Sequence, residues 1–359
     1  MLRSLASLAR TASSATVPTC VRSLHSPAAV SLSSVVPTST APGKSPRILI
    51  TGSLGQLGSE LAKMLRAKYG KENVVTSDIR KPDVPEDGPF KYIDVLNYQQ
   101  MEALIVDHRI DWVVHFSALL SAIGEQQPAK ALQVNIQGFQ NIVDLAKVHK
   151  LRVFCPSTIG AFGPTTPADN TPDLTIMRPT TIYGITKVHM ELMGEYYHNR
   201  YGVDFRSLRY PGVISAESLP GGGTTDYAVD IFHHALKTGE YTCFLSEKTR
   251  LPMMYMHDCL KGTMMMLEAP NEQLKQRVYN LAAFSFTPEE IAEQIRKHVP
   301  LKVAYRPDFR QAIADSWPRS LDDTNARQDW QWSHDYDLKT MVGEMLTKLR
   351  RHYPAVGKQ

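Results

Sequence analysis

The chain has 359 residues, enough for one large domain or two closely associated ones. Hydrophobic residues make up 43% and charged residues 21%, as in an ordinary globular protein, and no apolar run is long enough to span a bilayer. The formal net charge is +4. Because the body of the chain carries no basic stripe, we expect no nucleic-acid partner. Because no apolar run is long enough, we expect no membrane-spanning helix and no membrane partner.

Residues 1–46 differ in composition from the rest of the chain. They contain four basic residues and no Asp or Glu, so their charge of +4 accounts for the whole excess. Ser, Thr and Ala are abundant, and Leu2, Leu5 and Leu8 are spaced for one helical face. This pattern is typical of a mitochondrial transit peptide and predicts the mitochondrial matrix as the location. An N-terminal tail without a targeting role is the alternative.

Short β-branched runs alternate with helical segments in the first half of the body. Strands are predicted over residues 47–51, 73–78, 112–116 and 152–155, and helices over residues 59–68, 98–108 and 129–148. Strands that alternate with helices of ten or more residues predict an α/β fold, a doubly wound parallel sheet with helices on both faces.

The pattern loosens after about residue 210. Gly221 to Gly223 mark a flexible loop, and Thr287-Pro-Glu-Glu290 predicts the start of a helix over residues 287–298. We therefore expect residues 47–212 to form mainly a nucleotide-binding domain. Residues 213–359 are expected to form mainly a smaller substrate-binding domain, with elements that return to the first, over the carboxyl ends of the strands where open α/β sheets bind ligands.

Three glycines, Gly52, Gly55 and Gly58, lie between the first predicted strand and the first predicted helix. Glycine at such a turn permits a tight bend, a close approach of the backbone to a pyrophosphate, and close packing of helix on sheet. The helix N-terminus then offers unpaired N–H groups to the phosphates. The GxxGxxG spacing departs from the more usual GxGxxG.

Asp78 closes the second predicted strand, 20 residues after Gly58. A carboxylate there can accept hydrogen bonds from the adenosine ribose of NAD, and it would repel the 2′-phosphate of NADP. Arg80 lies two residues further on and could accommodate the 2′-phosphate of NADP. Because the Asp78 carboxylate occupies the ribose-binding position, NAD is the expected cofactor. Asp94 follows another strand-like stretch and could accept from the adenine amino group. The alternative is that Asp78 and the three glycines are ordinary turn residues. That alternative leaves unexplained why a strand, a glycine loop, a helix and a carboxylate follow one another in this order.

Tyr183 and Lys187 form the only Tyr-x-x-x-Lys pair in the chain. Thr180 and Thr181 can cap a helix that runs to about Tyr201, and residues four apart on a helix share a face. A neighbouring ammonium favours the phenolate, which can take a proton from a substrate alcohol. The alternative is a chance pair on an exposed helix.

A second polar segment, Ser157-Thr158, lies at a strand end and finishes 25 residues upstream of Tyr183. A hydroxyl there can hydrogen-bond the substrate oxygen as its charge changes. His115 lies within a predicted buried strand, and we expect it to be packed and hydrogen-bonded. No group of residues has the spacing of metal ligands, so we expect no metal site.

These motifs together resemble the extended short-chain dehydrogenase/reductase family, which includes nucleotide-sugar epimerases and dehydratases. The resemblance covers about residues 47–300, and GxxGxxG is this family's own form of the loop. It is carried by the segments Thr51-Gly-x-x-Gly-x-x-Gly58, Asp78, Asp94-Val95, His115-Phe-Ser-Ala118, Asn135-x-x-Gly138-x-x-Asn141, Ser157-Thr158, Tyr183-Gly-x-x-Lys187, Arg209-Tyr-Pro211 and Tyr255-Met-His257-Asp258.

The resemblance implies roles for individual residues. Tyr183 would be the catalytic base, Lys187 its partner, and Thr158, with Ser157, the donor to the substrate oxygen. The expected NAD-binding residues are Gly52, Leu54, Gly55, Gln56, Leu57, Gly58, Asp78, Asp94, Val95, Ser117, Ala118, Leu119, Asn135, Tyr183, Lys187 and Val213. The expected substrate contacts are Ser121, Thr224, Thr225 and Trp317, and a packing role is the alternative for Trp317.

Within the family, the likeness is closest to a branch that oxidises the secondary alcohol of L-threonine with NAD. It is carried by Gly52-Ser-Leu-Gly-Gln-Leu-Gly58, Cys155-Pro-Ser-Thr-Ile-Gly160, Pro220-Gly-Gly-Gly-Thr-Thr-Asp226 and Asp315-Ser-Trp-Pro-Arg319. The resemblance also implies a homodimer formed through residues 129–148 and 183–201. Two alternatives remain, a nucleotide-sugar epimerase or dehydratase and a non-catalytic NAD-sensing protein. The first usually carries Tyr-Gly-Pro where this chain has Gly212-Val-Ile.

Overall fold

The computed structural model describes residues 45–219 and 221–353. The predicted transit peptide, residues 1–46, lies outside the described residues except for its last two. The described strands are β1 (Ile48–Thr51), β2 (Val74–Asp78), β3 (Phe90–Tyr92), β4 (Trp112–His115), β5 (Arg152–Phe154), β6 (Ser157–Thr158), β7 (Asp204–Tyr210), β8 (Gly212–Ile214), β9 (Glu240–Cys243), β10 (Leu251–Tyr255), β11 (Val278–Asn280), β12 (Phe284–Phe286) and β13 (Lys302–Tyr305).

The described α-helices are α1 (Gln56–Tyr69), α2 (Tyr98–Asp107), α3 (Ser121–Gln126), α4 (Pro128–Leu132), α5 (Phe139–His149), α6 (Ile182–Tyr201), α7 (Tyr227–Lys237), α8 (Met256–Glu268), α9 (Pro288–Arg296), α10 (Arg310–Asp315), α11 (Thr324–Trp330) and α12 (Leu338–Leu349). None of the helices in the described ranges has the combination of length and apolar character needed to cross a bilayer.

The central sheet confirms the doubly wound α/β prediction. Its strand order is β3-β2-β1-β4-β5-β7-β11, with β6 paired to β7, and every pairing is parallel. Every residue of β1 and β2 is buried, as expected of strands covered on both faces. The strand order reverses direction between β1 and β4, and this switch point leaves a crevice at the carboxyl ends of the strands.

Apolar helix faces cover the two sides of this sheet. Helices α1 and α8 pack on one side through residues such as Leu61, Leu65 and Met266. Helices α2, α5 and α6 pack on the other side through residues such as Leu104, Ile142 and Met190. Burial of these side chains, at about 25 cal/mol per Å² of apolar surface, is the main term that holds the layers together.

A third apolar cluster joins α7, α9 and α12 to strands outside the central sheet. Strands β8, β10 and β12 form a three-stranded sheet, and β9 pairs with β13. Helix α9 starts where the sequence predicts, because the Thr287 hydroxyl accepts from the Glu290 amide and the Glu290 carboxylate accepts from the Thr287 amide. Strand β11 returns to the central sheet beside β7.

Two helices differ from the sequence prediction. Helix α1 begins at Gln56 rather than Ser59, so Gly58 lies in its first turn. The helix predicted over 129–148 is interrupted by a π-helical segment, Gln133–Gly138, between α4 and α5. π-Helical segments often occur at functional sites, and this one contains Asn135 of the Asn-x-x-Gly-x-x-Asn motif.

Candidate active site

A cleft of about 310 Å³ opens at the carboxyl ends of the central strands. Its walls come from the loop after β1, the segment after β4, the turn after β5, helix α6, strand β8 and the loop before α7. The lining residues are Gly52, Gly55, Gln56, Leu57, Gly58, Phe116, Ala118, Leu120, Ser121, Pro156, Ser157, Thr158, Ile159, Tyr183, Lys187, Tyr210, Pro211, Gly212, Val213, Gly223, Thr224, Thr225, Asp226 and Trp317.

The glycine loop leaves no room for side chains at two of its positions. Gly52 has a φ of +65°, which favours glycine, and a Cβ there would lie 2.7 Å from the Ser117 nitrogen. A Cβ on Gly58 would lie 2.6 Å from the Gly52 carbonyl oxygen. The Gly55 N–H donates to that same oxygen at 3.1 Å, which closes the turn. Since no side chain caps α1, its first N–H groups are available to an anion in the cleft.

Asp78 lies at the end of β2, directly beside the glycine loop. Its carboxylate is 7% exposed and accepts from the Leu54 and Arg80 amides, both at 3.1 Å. The Arg80 guanidinium lies 3.6 Å from Asp78 Oδ1. A carboxylate has about four acceptor positions, so two remain for the hydroxyls of a ribose. Leu54 and Asp78 themselves lie outside the cleft lining.

Asp94 and Val95 also lie outside the cleft lining. Asp94 is exposed and its carboxylate accepts from the Leu96 amide at 3.0 Å. Val95 is 4% exposed, and its carbonyl accepts from the Asn141 side chain at 2.9 Å. Gly138 packs against Val95, since a Cβ there would lie 3.0 Å from Val95 Cγ2. These contacts join the 94–95 segment to the helix that contains Asn135.

Tyr183 and Lys187 lie where the sequence predicts, in the first turns of α6. The Thr181 hydroxyl accepts from the Gly184 amide at 3.1 Å and caps the helix, as expected. Tyr183 is half-buried in the cleft wall. Lys187 is 6% exposed, its Nζ donates to the Pro156 carbonyl at 2.7 Å, and Nζ lies 5.7 Å from the centre of the Tyr183 ring. A buried ammonium therefore lies beside the phenol.

Ser157 and Thr158 both line the cleft, but their hydroxyl groups have different partners. Thr158 Oγ1 accepts from the Gly160 amide at 3.1 Å, and no acceptor for the Thr158 O–H is found within residues 45–219 and 221–353. That hydroxyl can donate to a bound oxygen. The Ser157 hydroxyl instead donates to Glu191 of α6, a residue that the sequence analysis missed. Its spacing of four from Lys187 on one helix was the available signal.

Ser117, Leu119 and Asn135 are three further predicted cofactor residues, and none of them lines the cleft. The Asn135 side chain accepts from the Leu119 amide at 2.8 Å and donates to the Leu119 carbonyl and to Thr186 Oγ1, both at 3.0 Å. Asn135 thus joins the segment after β4 to helix α6 rather than facing the cleft. Ala118, Gln56, Leu57 and Val213 do line it.

His115 is packed behind the site, as its place in a buried strand predicts. It is 3% exposed, and its Nδ1 lies 2.8 Å from Thr51 Oγ1. Burial and the nearby Lys187 ammonium lower the pKa of His115 to about 3. The imidazole is therefore neutral at physiological pH.

All four predicted substrate residues, Ser121, Thr224, Thr225 and Trp317, line the cleft. Trp317 is half-buried and packs over the turn at Gly160, where a Cβ would lie 3.6 Å from its ring. The sequence analysis missed Asp226, which also lines the cleft and accepts from the Gly223 amide at 2.8 Å. Its place directly after the two threonines was the available signal.

One cluster of metal-ligating residue types occurs in the described part of the chain, formed by His257, Asp258 and Asp335 outside the cleft. The Asp258 carboxylate accepts from the Asp335 and Tyr336 amides at 2.8 and 3.0 Å, and Asp335 pairs with Lys261. These contacts join α8 to the segment before α12.

A glycine loop at the switch point of a parallel sheet, facing a tyrosine–lysine pair, defines a dinucleotide-binding protein of the short-chain dehydrogenase type. The sequence profile of the NAD dependent epimerase/dehydratase family matches residues 48–282, and the chain belongs to this family. The family resemblance predicted from the motifs is confirmed.

Several relatives show how far the likeness extends. The chain is 58% identical over 315 residues to mitochondrial L-threonine 3-dehydrogenase of Bos taurus, and the aligned region covers 86% of this chain and 84% of that relative. The crystal structure of L-threonine dehydrogenase from Phytophthora infestans has a TM-score of 0.84 and 58% identity, covering 85% of this chain and 99% of that one. The holo form of the GalE-like L-threonine dehydrogenase from Cupriavidus necator has a TM-score of 0.83 and 48% identity, covering 85% and 100%.

Proposed function

We propose that this chain is an NAD-dependent dehydrogenase that oxidises L-threonine to 2-amino-3-oxobutanoate. The observation that carries the proposal is the convergence of Tyr183, Lys187 and Thr158 on the same cleft as the glycine loop. A base and a hydrogen-bond donor beside a dinucleotide-binding loop suit the oxidation of a secondary alcohol. The names of the relatives in cattle, Phytophthora infestans and Cupriavidus necator support threonine as that alcohol.

The residues around the loop fit NAD. Gly52 and Gly58 leave the backbone bare where a pyrophosphate would approach, and the uncapped N-terminus of α1 offers N–H groups to it. Asp78 retains acceptor positions for ribose hydroxyls, and its charge disfavours a 2′-phosphate. When bound, NAD supplies the oxidant for the substrate alcohol.

The chain's own residues would handle the proton and the oxygen. The Thr158 hydroxyl donates to the substrate oxygen and holds it as the C–O single bond becomes a carbonyl. Tyr183, as phenolate, accepts the hydroxyl proton on its oxygen and later releases it to solvent. Lys187, fixed by the Pro156 carbonyl, places a positive charge beside the Tyr183 ring, where it can offset the negative charge that develops during proton transfer. Ser121, Thr224 and Thr225 offer hydroxyls to the polar groups of the amino acid.

Substrate assays separate this function from its rivals. The proposal predicts NADH formation with L-threonine together with 2-amino-3-oxobutanoate, a β-keto acid that loses CO2 to give aminoacetone. Either product can be derivatised and identified by mass spectrometry. A nucleotide-sugar epimerase would instead retain NAD through gel filtration and form no net NADH. An NAD-sensing protein would bind NAD and convert neither substrate class. Absence of NADH with L-threonine from protein that binds NAD would contradict the proposal.

The location and the division of labour along the chain are further parts of the proposal. The acid-free leader and the name of the mitochondrial relative in Bos taurus support the mitochondrial matrix. Residues 1–46 fused to a fluorescent reporter should direct it there, and a cytosolic signal would refute the targeting role. We assign nucleotide binding mainly to residues 47–212 and substrate binding mainly to residues 213–359.

A homodimer formed through residues 129–148 and helix α6 is also proposed. Helix α6 exposes Ile185, Leu192 and Tyr196, with exposed fractions of 47%, 56% and 50%. Positions separated by 7 and 4 residues lie on one helical face, so these side chains form an apolar stripe that a second copy could cover. Leu192→Glu should convert a dimer into a monomer in light scattering. A wild-type monomer would contradict the pairing.

A further inference from the structure

A buried ionic cluster lies directly behind the Ser157-Thr158 turn. Glu191 and Arg209 are 1% and 3% exposed. The Arg209 guanidinium donates twice to the Glu191 carboxylate, at 2.9 Å from Nε and 2.8 Å from Nη2. Its remaining side donates to the Asp173 carbonyl at 2.7 Å and to Asn280 Oδ1 at 3.2 Å. Such a fully engaged guanidinium fixes the carboxylate in one place.

Within the described residues, the carboxylate has one further partner, the hydroxyl of Ser157, which donates to Glu191 Oε1. Ser157 is 2% exposed, so this contact is shielded from water. Through this hydrogen bond, the Glu191–Arg209 ion pair holds the first residue of β6 against helix α6. Removing either member of the ion pair would leave the other as a buried charge without a partner.

Strand geometry transmits this contact to Thr158. Ser157 is in register with Arg209 of β7, and Thr158 is in register with Tyr210. Successive side chains of a strand point to opposite faces. The Arg209 side chain points toward α6, whereas the Tyr210 hydroxyl bonds to Thr263 of α8 on the other face. Holding Ser157 on the α6 face therefore sets the direction of the Thr158 side chain.

Helix α6 carries three of the groups in this arrangement, Tyr183, Lys187 and Glu191. Glu191 lies four residues after Lys187 and eight after Tyr183, so the base, its lysine and the carboxylate share one helical face. Through Ser157, the same helix fixes the hydroxyl donor across the cleft. We infer that Glu191, held by Arg209, is a positioning residue that orients Thr158 relative to Tyr183, and that Ser157 acts through Glu191 rather than on the substrate. This inference rests on the proposed function.

A double-mutant cycle on the full-length protein tests it. Ser157→Ala removes the hydroxyl and keeps the Glu191–Arg209 pair, and Glu191→Gln keeps the shape and removes the charge. Each should lower kcat with L-threonine by about 10- to 100-fold, as expected of a displaced catalytic group, with the affinity for NAD unchanged. The double variant should lose little more than the poorer single variant, since both act on one contact. If Glu191→Gln fails to fold, a crystal structure of Ser157→Ala decides the question, because the inference requires a displaced Thr158 side chain.

Glu195→Gln provides a matched control, because Glu195 lies one turn further along α6 and interacts electrostatically with both Glu191 and Arg209. It should leave kcat unchanged. Additive losses in the double variant would overturn the inference, and so would a Ser157→Ala variant that raises KM for L-threonine at constant kcat. If the wild-type protein forms no NADH from L-threonine, the proposed function fails separately. Crystal structures of wild-type and Ser157→Ala protein then decide the inference, which requires a displaced Thr158 side chain and is refuted by an unmoved one.

Discussion

Replacing Gly58 with alanine places a methyl group in the contact between α1 and the loop that precedes it. The new Cβ would lie 2.6 Å from the Gly52 oxygen and 2.7 Å from Ser53 Cα, both backbone atoms that no rotamer change can move. Ordinary contact begins at 3.4 Å, so the helix must retreat by about 0.8 Å, the difference between 3.4 and 2.6 Å. Overpacking of this kind costs about 1–3 kcal/mol.

The retreat also draws the first N–H groups of α1 away from the phosphates that they are proposed to bind. If this overpacking cost destabilises only the NAD-bound state, the Kd for NAD rises about 5- to 150-fold. Isothermal titration calorimetry measures this change directly, and circular dichroism checks that the variant is folded. Gly58→Ala protein that binds NAD with wild-type affinity would refute the account of the loop.

Three further predictions concern other positions. Gly343→Ala, at a site in α12 with no atom within 4 Å of the added Cβ, should raise the free energy of unfolding by about 0.5–1 kcal/mol in chemical denaturation, and any loss of stability would contradict that. Asp78→Ser should lower the preference for NAD over NADP in kcat/KM by at least about tenfold, because the carboxylate no longer repels the 2′-phosphate; an unchanged ratio would be inconsistent with its ribose role. Burial and Lys187 lower the pKa of His115 to about 3, so the folded state favours the neutral ring. The contribution of His115 to the free energy of unfolding is therefore complete above the unfolded pKa near 6.5 and is lost as the pH falls toward 3. The free energy of unfolding should therefore fall by about 2 kcal/mol more between pH 6.5 and pH 5 in wild type than in His115→Gln, and parallel pH profiles would exclude this contribution.

Local patterns were sufficient to predict four strands of the central sheet and the start of helix α6. Buried β-branched runs identified β1, β2 and β4, and Thr181 identified the start of α6. The start of α1 was misplaced because the turn closed by Gly52 and Gly55 leads directly into the helix, and this depends on a backbone contact rather than on composition. The π-helical segment, Gln133–Gly138, contains no proline and continues directly into α5, so local sequence signals did not reveal it.

The candidate site was predicted where function depends on spacing along one element. Tyr183 and Lys187 share a helix, and the three glycines share a loop. The role of Glu191 depends on Arg209 of β7 and on Ser157 of β6, which only the tertiary fold brings together. The contacts of the predicted cofactor residue Asn135, whose side chain joins Leu119 to Thr186, likewise depend on the tertiary fold.

The most direct test of the central claim is NADH formation from NAD and L-threonine by wild-type protein and by Tyr183→Phe. Tyr92→Phe, at an exposed position of β3, is the matched control. The account predicts NADH production by wild type and control, and a loss of at least about 100-fold in Tyr183→Phe with NAD binding retained, because general base catalysis contributes about 10²–10⁴-fold. Undiminished turnover in Tyr183→Phe would contradict the assignment of the base, and no NADH from NAD-binding wild-type protein would contradict the threonine dehydrogenase activity itself.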